Sequence, residues 1–308
     1  MAAMTSSTTD PAPTAGDLAQ ALFSGSLATD PVPVLTYPAD AGRVARREAL
    51  RPVYEEIVGR IGAPTLLGGG VAGPRVRWCT RERILQLSGD HDQAVLTAYD
   101  ADEFERAEWQ TFDRTHPGEK GEPHAFDALP YLWQLDRKGP GFATSWTYNG
   151  TIVVSGWEHA VTGLELMLAS WVEHYPVQSP GDWIGFKLWT ARDWGRSMIV
   201  SYSPDDEGQE LAVAIDDRGA EQTGERQAQM RERGWRIQDE HQWWRTRLPE
   251  TDEDAPRLIA ELAIAECRAR KATCVDELRA LDISAGDHGE LWLTGLGLPT
   301  HPPRGEHW

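Results

Sequence analysis

The stretch GWRIQDEHQWWRTRLP, residues 234–249, places Trp235, Trp243 and Trp244 among arginines, acids and His241. An imidazole beside carboxylates can do acid–base work only when a reacting partner lies within hydrogen-bond reach. His241 has no such partner at a useful spacing, and the flanking acids and arginines alternate as on a solvated strand and loop. The indoles are the stronger signal, because each carries a large apolar surface and one N–H to satisfy. In an extended strand Trp243 and Trp244 must point to opposite faces. One ring fills a core. The other needs a helix, a second domain or a partner over it. Cover from within the chain is the simpler reading. A peptide- or protein-binding surface is the functional one, since Trp and Arg dominate binding hot spots. The candidate contacts are therefore Trp235, Trp243, Trp244, Arg245 and the DWGR turn around Trp194, which also reads as plain hairpin punctuation.

The remaining reactive residue types form no catalytic pattern. GGGVAG at 68–73 matches G-x-G-x-x-G, but Pro74 and the strand-like RVRW follow where a dinucleotide site needs a helix N-terminus. It reads as a turn. GDHD at 89–92 sets a histidine between acids, yet in a turn between strands. None of the nine histidines falls in a close metal pair such as H-E-x-x-H. Asp205-Asp206-Glu207-Gly208 starts like a calcium loop and then lacks the later glutamate, so an acidic β-turn is expected. There is no G-x-S-x-G elbow and no P-loop. Cys79, Cys267 and Cys274 are odd in number and fit no zinc spacing. On one helix, Cys267 and Cys274 would stand about 10 Å apart, too far for a disulfide. All three read as small core residues in a reducing compartment. No catalytic residue, metal or cofactor is expected, and the chain reads as a non-enzyme.

The formal charge is -18 over 308 residues. That excess repels phosphate backbones and anionic membranes, so no nucleic acid is expected and a basic partner would be favoured. Hydrophobic residues make up 40%, enough for a packed core over most of the length. No run approaches eighteen apolar residues, which argues against membrane insertion. The first residues lack a basic and apolar leader pattern, and the expected location is cytoplasmic.

Elements that would position these residues follow from periodicity. Residues 1–40, rich in Ala, Ser, Thr and Pro, read as a flexible tail with one short docking helix in LAQALFSGSLA. In 41–128 a helix carries Leu50, Val53, Ile57 and Ile61 on one face, with its main part starting at Pro52. PRVRWCT, RILQLS and AVLTAYD then make an antiparallel meander, followed by a short helix and a polar linker. In 129–284, Asn149-Gly150 signals a hairpin. A helix with Val161, Leu164, Leu168, Trp171 and Val172 in a stripe follows, then strands in DWIGFKLWT, RSMIVSYS and ELAVAID. A polar helix closed by Gly234, the strand HQWWRTRLP, a helix with Pro256 in its first turn and a short helix in CVDELRALDI complete this part. Residues 285–308 hold one strand-like run and a Pro/His-rich tail. The fold class is α+β, antiparallel sheets flanked by helices. The shared order of helix then meander hints at two related modules.

The stretch 158–284 resembles the TY-Chap and YbjN-like families of bacterial proteins, similar in fold to type III secretion chaperones. The resemblance rests on the meander SMIVSYSPDDEGQELAVAID, the helix ending in RERGW, the tryptophan strand HQWWRTR and a long terminal helix over APRLIAELAIAECRARKATCVDELRAL with its Leu278-Arg279 pair. It implies a non-enzymatic polypeptide-binding module, a chaperone for a secreted protein or effector, with no catalytic residues to carry over. The partner would be a polypeptide client or a cognate, basic protein, and a homodimer is compatible with such a module. An immunity-type protein neutralising a cognate toxin is the alternative, and an enzyme of unrecognised type the third reading.

Overall fold

The structure, a computed structural model, describes residues 13–25, 30–114, 125–136, 154–190, 197–205, 208–283, 290–293 and 296–298. These form six helices and two antiparallel sheets, the α+β class expected from the sequence. The Asn149-Gly150 hairpin and the turn around Trp194 lie outside the described residues.

Seven strands build the first sheet: β1 (Val32–Thr36), β2 (Leu66–Gly69), β3 (Val76–Cys79), β4 (Arg83–Gly89), β5 (Gln93–Asp100), β6 (Trp133–Asp136) and β13 (Glu290–Trp292), in the order β1-β5-β4-β3-β2-β6-β13. The second sheet orders its six as β10-β11-β9-β8-β7-β12, from β7 (Ile184–Thr190), β8 (Met198–Asp205), β9 (Gly208–Asp216), β10 (Ile237–Gln238), β11 (Trp243–Pro249) and β12 (Leu278–Ile283). The helices are α1 (Ala15–Ser24), α2 (Arg43–Ile61), α3 (Ala101–Arg114), α4 (Trp157–Gln178), α5 (Gly224–Glu232) and α6 (Ala255–Ala269).

Alternation along the strands decides the layering, because successive side chains face opposite sides. In β4 and β5, Leu85, Leu87, Leu96 and Ala98 join the main core, which also contains buried residues of α1, α2, α4 and α6. Ile84 points the other way, into a small cluster with Cys79 and Ala101 under α3. Helix α3 is fixed there by Arg77, which pairs with Glu108 and lies 4.8 Å over the Phe104 ring. Helix α4 runs between the sheets. Its last nine residues, 170–178, are all buried, Trp133 of β6 donates to Ser170 Oγ at 2.9 Å, and Trp171 meets Phe186 of β7 edge-on at 6.1 Å. The Gln178 side chain ties α4 to the first sheet by bonding a backbone unit of β2: its Nε2 donates to Gly68 O and its Oε1 accepts from Gly68 N, both at 2.8 Å. The order is thus α3, first sheet, helices, second sheet.

Several expectations need correction. Helix α2 does not start at Pro52 but passes through it. Its first half is held by buried Arg47 and Leu50, whose anchoring outweighs the backbone bond a proline deletes. CVDELRALDI is not one short α-helix: α6 ends at Ala269, Lys271 turns with φ 69, Val275–Glu277 form a single 3-10 turn, and 278–283 pair in full register with β7. Leu278 and Ala280 are buried while Arg279 is not, a period of two that a 3.6-residue reading overlooks. The long terminal helix of the family-like order is therefore present here only in its first part, as α6, Ala255–Ala269. Cys274, beyond α6, is exposed instead of in the core. The tail at 1–40 contains both α1, capped by Thr14, and β1, which pairs with β5. Finally, β6 from the 129–284 segment and β13 from the 285–308 segment complete the first sheet.

Candidate binding surface

The hairpin of β10 and β11 settles the question posed by the paired tryptophans. Gly234, at φ 100, lets the chain leave α5. Asp239 then organises the turn: its Oδ1 accepts from His241 N and Trp243 N, both at 2.9 Å. Strand β11 next pairs with β9 from Trp243↔Asp216 to Pro249↔Glu210 without a shift. Trp244, Thr246 and Leu248 are buried toward α6, and Trp243, Arg245 and Arg247 point the other way.

That outward face continues across the sheet by strict pairing. Ile237 stands opposite Arg245, Arg245 opposite Ala214, Ala214 opposite Ile199, and Ile199 opposite Lys187. A second row joins Arg247, Ala212, Ser201 and Gly185. Among the described residues, α3 backs the outer side of the first sheet, and no helix backs this face of the second. Ile237 is 51% exposed at its rim. The surface is therefore an apolar strip of Trp243, Ile199, Ala212, Ala214 and Ile237 set among cations.

Of the residues singled out in the sequence, Trp243 and Arg245 come together on this face. Trp235 and Trp244 do not: they are 1% and 0% exposed, packed as core rather than presented as contacts. The cause is local. Trp235 closes α5 against α6 and donates its Nε1 to Glu266 Oε2 at 3.2 Å, while Trp244 is on the helix-facing side of β11. Ile237, Ile199 and Lys187 were missed. An HPHP count would have found Ile199 in SMIVSYS, but the polar RIQDE gave no sign that Ile237 and Gln238 pair as a strand.

The charges sort into two kinds. On the open face Arg245 pairs with Asp239 at 3.0 Å and Arg247 with Glu210 at 3.2 Å, both guanidinium groups remaining about 40% exposed. Lys187 and Arg279 have no carboxylate partner among the described residues. Arg279 donates only to the carbonyls of Asp276 and Leu278. Inside the protein, by contrast, Arg46 grips Glu173 of α4 through two bonds of 2.8 and 2.6 Å, and Arg47 grips Glu250 through two of 2.6 and 2.9 Å. Burial opposes ionisation of Glu173, yet the Arg46 hydrogen bonds and nearby positive charge hold its carboxyl below the ordinary value. Burial, then the bond to Glu250, pushes the Tyr202 hydroxyl far up. Burial brings His174 down to about 4 and raises the Cys267 thiol to about 12. A neutral imidazole and an un-ionised thiol in these places are packing groups.

The motifs weighed in the sequence take the simple forms expected of them. Gly70 and Gly73 close a backbone turn, and strand β3 follows it. Asp90 Oδ1 accepts from Asp92 N and Gln93 N in the β4–β5 turn. Asp205 and Gly208 pair at the end of the β8–β9 hairpin. No group of three or more metal-ligating side chains forms among the described residues, and no described helix is long and apolar enough to cross a membrane. One open groove of ≈ 500 Å³ lies along α6 and the start of α4, where Arg268 covers the Trp157 ring at 5.7 Å.

No family model, curated protein or solved structure matches this chain.

Proposed function

We propose that this protein binds polypeptides on the open face of its second sheet, as a cytoplasmic, non-enzymatic chaperone for a secreted protein or effector. The observation that carries this reading is the union of Trp243, Ile199 and Ile237 with Arg245 on one sheet face that no described helix backs. Aromatic and arginine side chains supply most contact energy in protein interfaces. An apolar strip of this kind is costly to leave in water unless it has an occupant. The rigid, ion-clamped helices behind the sheet support the reading, because a preorganised surface loses less entropy on binding. The TY-Chap-like order of meander, helix and tryptophan strand supports it as well. The test compares the wild-type chain with Trp243→Ala and Ile237→Asp for binding to a panel of labelled extended peptides. The expected result is a loss of affinity of about tenfold or more, ~1.4 kcal/mol, with stability within about 1 kcal/mol of the wild-type chain. Equal affinity in all three proteins would refute the assignment of the site.

A further inference from the structure

The charge on this face runs against the charge of the molecule, and that opposition identifies what the face takes. The chain has 48 acidic residues against 30 lysines and arginines. Yet the outward positions of β7, β11 and β12 present Lys187, Arg245, Arg247 and Arg279. Among the described side chains, the carboxylates that meet this face are at its border: Glu210 and Asp216 near the two ends of β9, and Asp239 in the β10–β11 turn. Asp216 is already engaged by Arg218 at 2.6 Å, and Arg245 and Arg247 by Asp239 and Glu210. Lys187 and Arg279 are left without carboxylate partners among the described residues. Lys187 borders the apolar strip, directly opposite Ile199, and Arg279 lies one strand further out, opposite Trp189.

We infer that the occupant is an extended polypeptide segment in which acidic side chains alternate with apolar ones. This rests on the polypeptide-binding reading above and reverses the basic client that the net charge alone suggests. Distance decides between the two. The overall charge acts through solvent, where ions screen it beyond about 8 Å at physiological salt. A side chain lying on the sheet meets Lys187 and Arg279 well inside that range. Alternation follows from geometry, because an extended chain presents every second side chain to one surface. Apolar residues would cover Trp243, Ile199 and Ile237. Carboxylates would reach the two cations, and there the favourable pairing fixes orientation and excludes the wrong partner.

The experiment uses the full chain and three labelled peptides of about twelve residues, two strand lengths, with Glu, Lys or Ser alternating with Val and Ile. Anisotropy titrations at about 0.15 M salt are expected to rank Glu first, about tenfold or more tighter than Lys. In a Lys187→Glu, Arg279→Glu variant with an unchanged unfolding midpoint, that preference should vanish or invert. A Lys peptide that binds as tightly as the Glu peptide overturns the acidic client and leaves polypeptide binding standing. So does a Glu preference that survives both charge reversals. If none of the three peptides binds, or if Trp243→Ala leaves the Glu peptide's affinity unchanged, both readings fall.

Discussion

Truncating each of the two adjacent tryptophans should produce very different losses, because they lie on opposite sides of one strand. Trp244 is 0% exposed among the residues that α6 buries. Removing so large a core side chain leaves a cavity that the surrounding helices and strands can only partly close. Trp244→Ala should therefore cost about 3–5 kcal/mol. Its Nε1–H has no hydrogen-bond partner among the described residues, so Trp244→Phe removes an unpaired donor along with one ring. The two effects offset, and the expected loss is roughly 1 kcal/mol. Trp243 is only partly buried, on the face that no described helix backs, so Trp243→Ala should cost less than about 1 kcal/mol. Urea unfolding followed by far-ultraviolet circular dichroism gives the three values from midpoints at constant slope. A Trp243→Ala loss equal to that of Trp244→Ala would refute the reasoning, since it would mean that the outer face is packed as tightly as the inner one.

Three further outcomes follow from the interior. Arg47→Met leaves partly buried Glu250 without its cation and should destabilise by about 2–4 kcal/mol, with much of the loss recovered when Glu250→Leu is added; a urea double-mutant cycle reads this directly. His174 is buried and unprotonated, and its pKa falls from 6.5 to about 4. The unfolded chain thus binds the proton more readily, and stability declines as pH drops from about 6.5 toward 4. By pH 5 the loss attributable to this group is about 2 kcal/mol relative to pH 7, and unfolding of His174→Gln over the same range should lack it. At Gly69 a Cβ would collide with Ser170 Oγ and lie 2.7 Å from Trp133 Nε1. Gly69→Ala should lower stability by about 1–3 kcal/mol by thermal or urea unfolding.

Local signals were legible in the sequence where they were strong. The meander at 76–100, the apolar stripe of α4 and the first-turn proline of α6 all correspond to observed elements. Opposite facing of Trp243 and Trp244 needed only the two-residue period of a strand. Which of the two faced the core was decided by α6, and no local pattern contains that. The arginine clamps were invisible for a different reason: Arg46 and Glu173 are 127 residues apart, and Arg47 and Glu250 are 203 apart. Leu278-Arg279 was misread because LRALDI suits a helix by propensity. The free edge of β7 offered a full ladder of backbone bonds, and tertiary pairing prevailed over propensity. The cationic character of the open face was equally hidden, since Lys187, Arg245 and Arg279 come to share one face only through the strand order of the sheet.

Methyl labelling of isoleucine tests the central claim most directly. Ile199 and Ile237 lie on the open face, while Ile57, Ile184, Ile215 and Ile259 are in the core. In a titration of the full chain with the Glu-alternating peptide, the methyl resonances of Ile199 and Ile237 should shift progressively and saturably while the four core methyls stay in place. Saturable shifts at the core or α2 isoleucines, with Ile199 and Ile237 unmoved, would contradict the account.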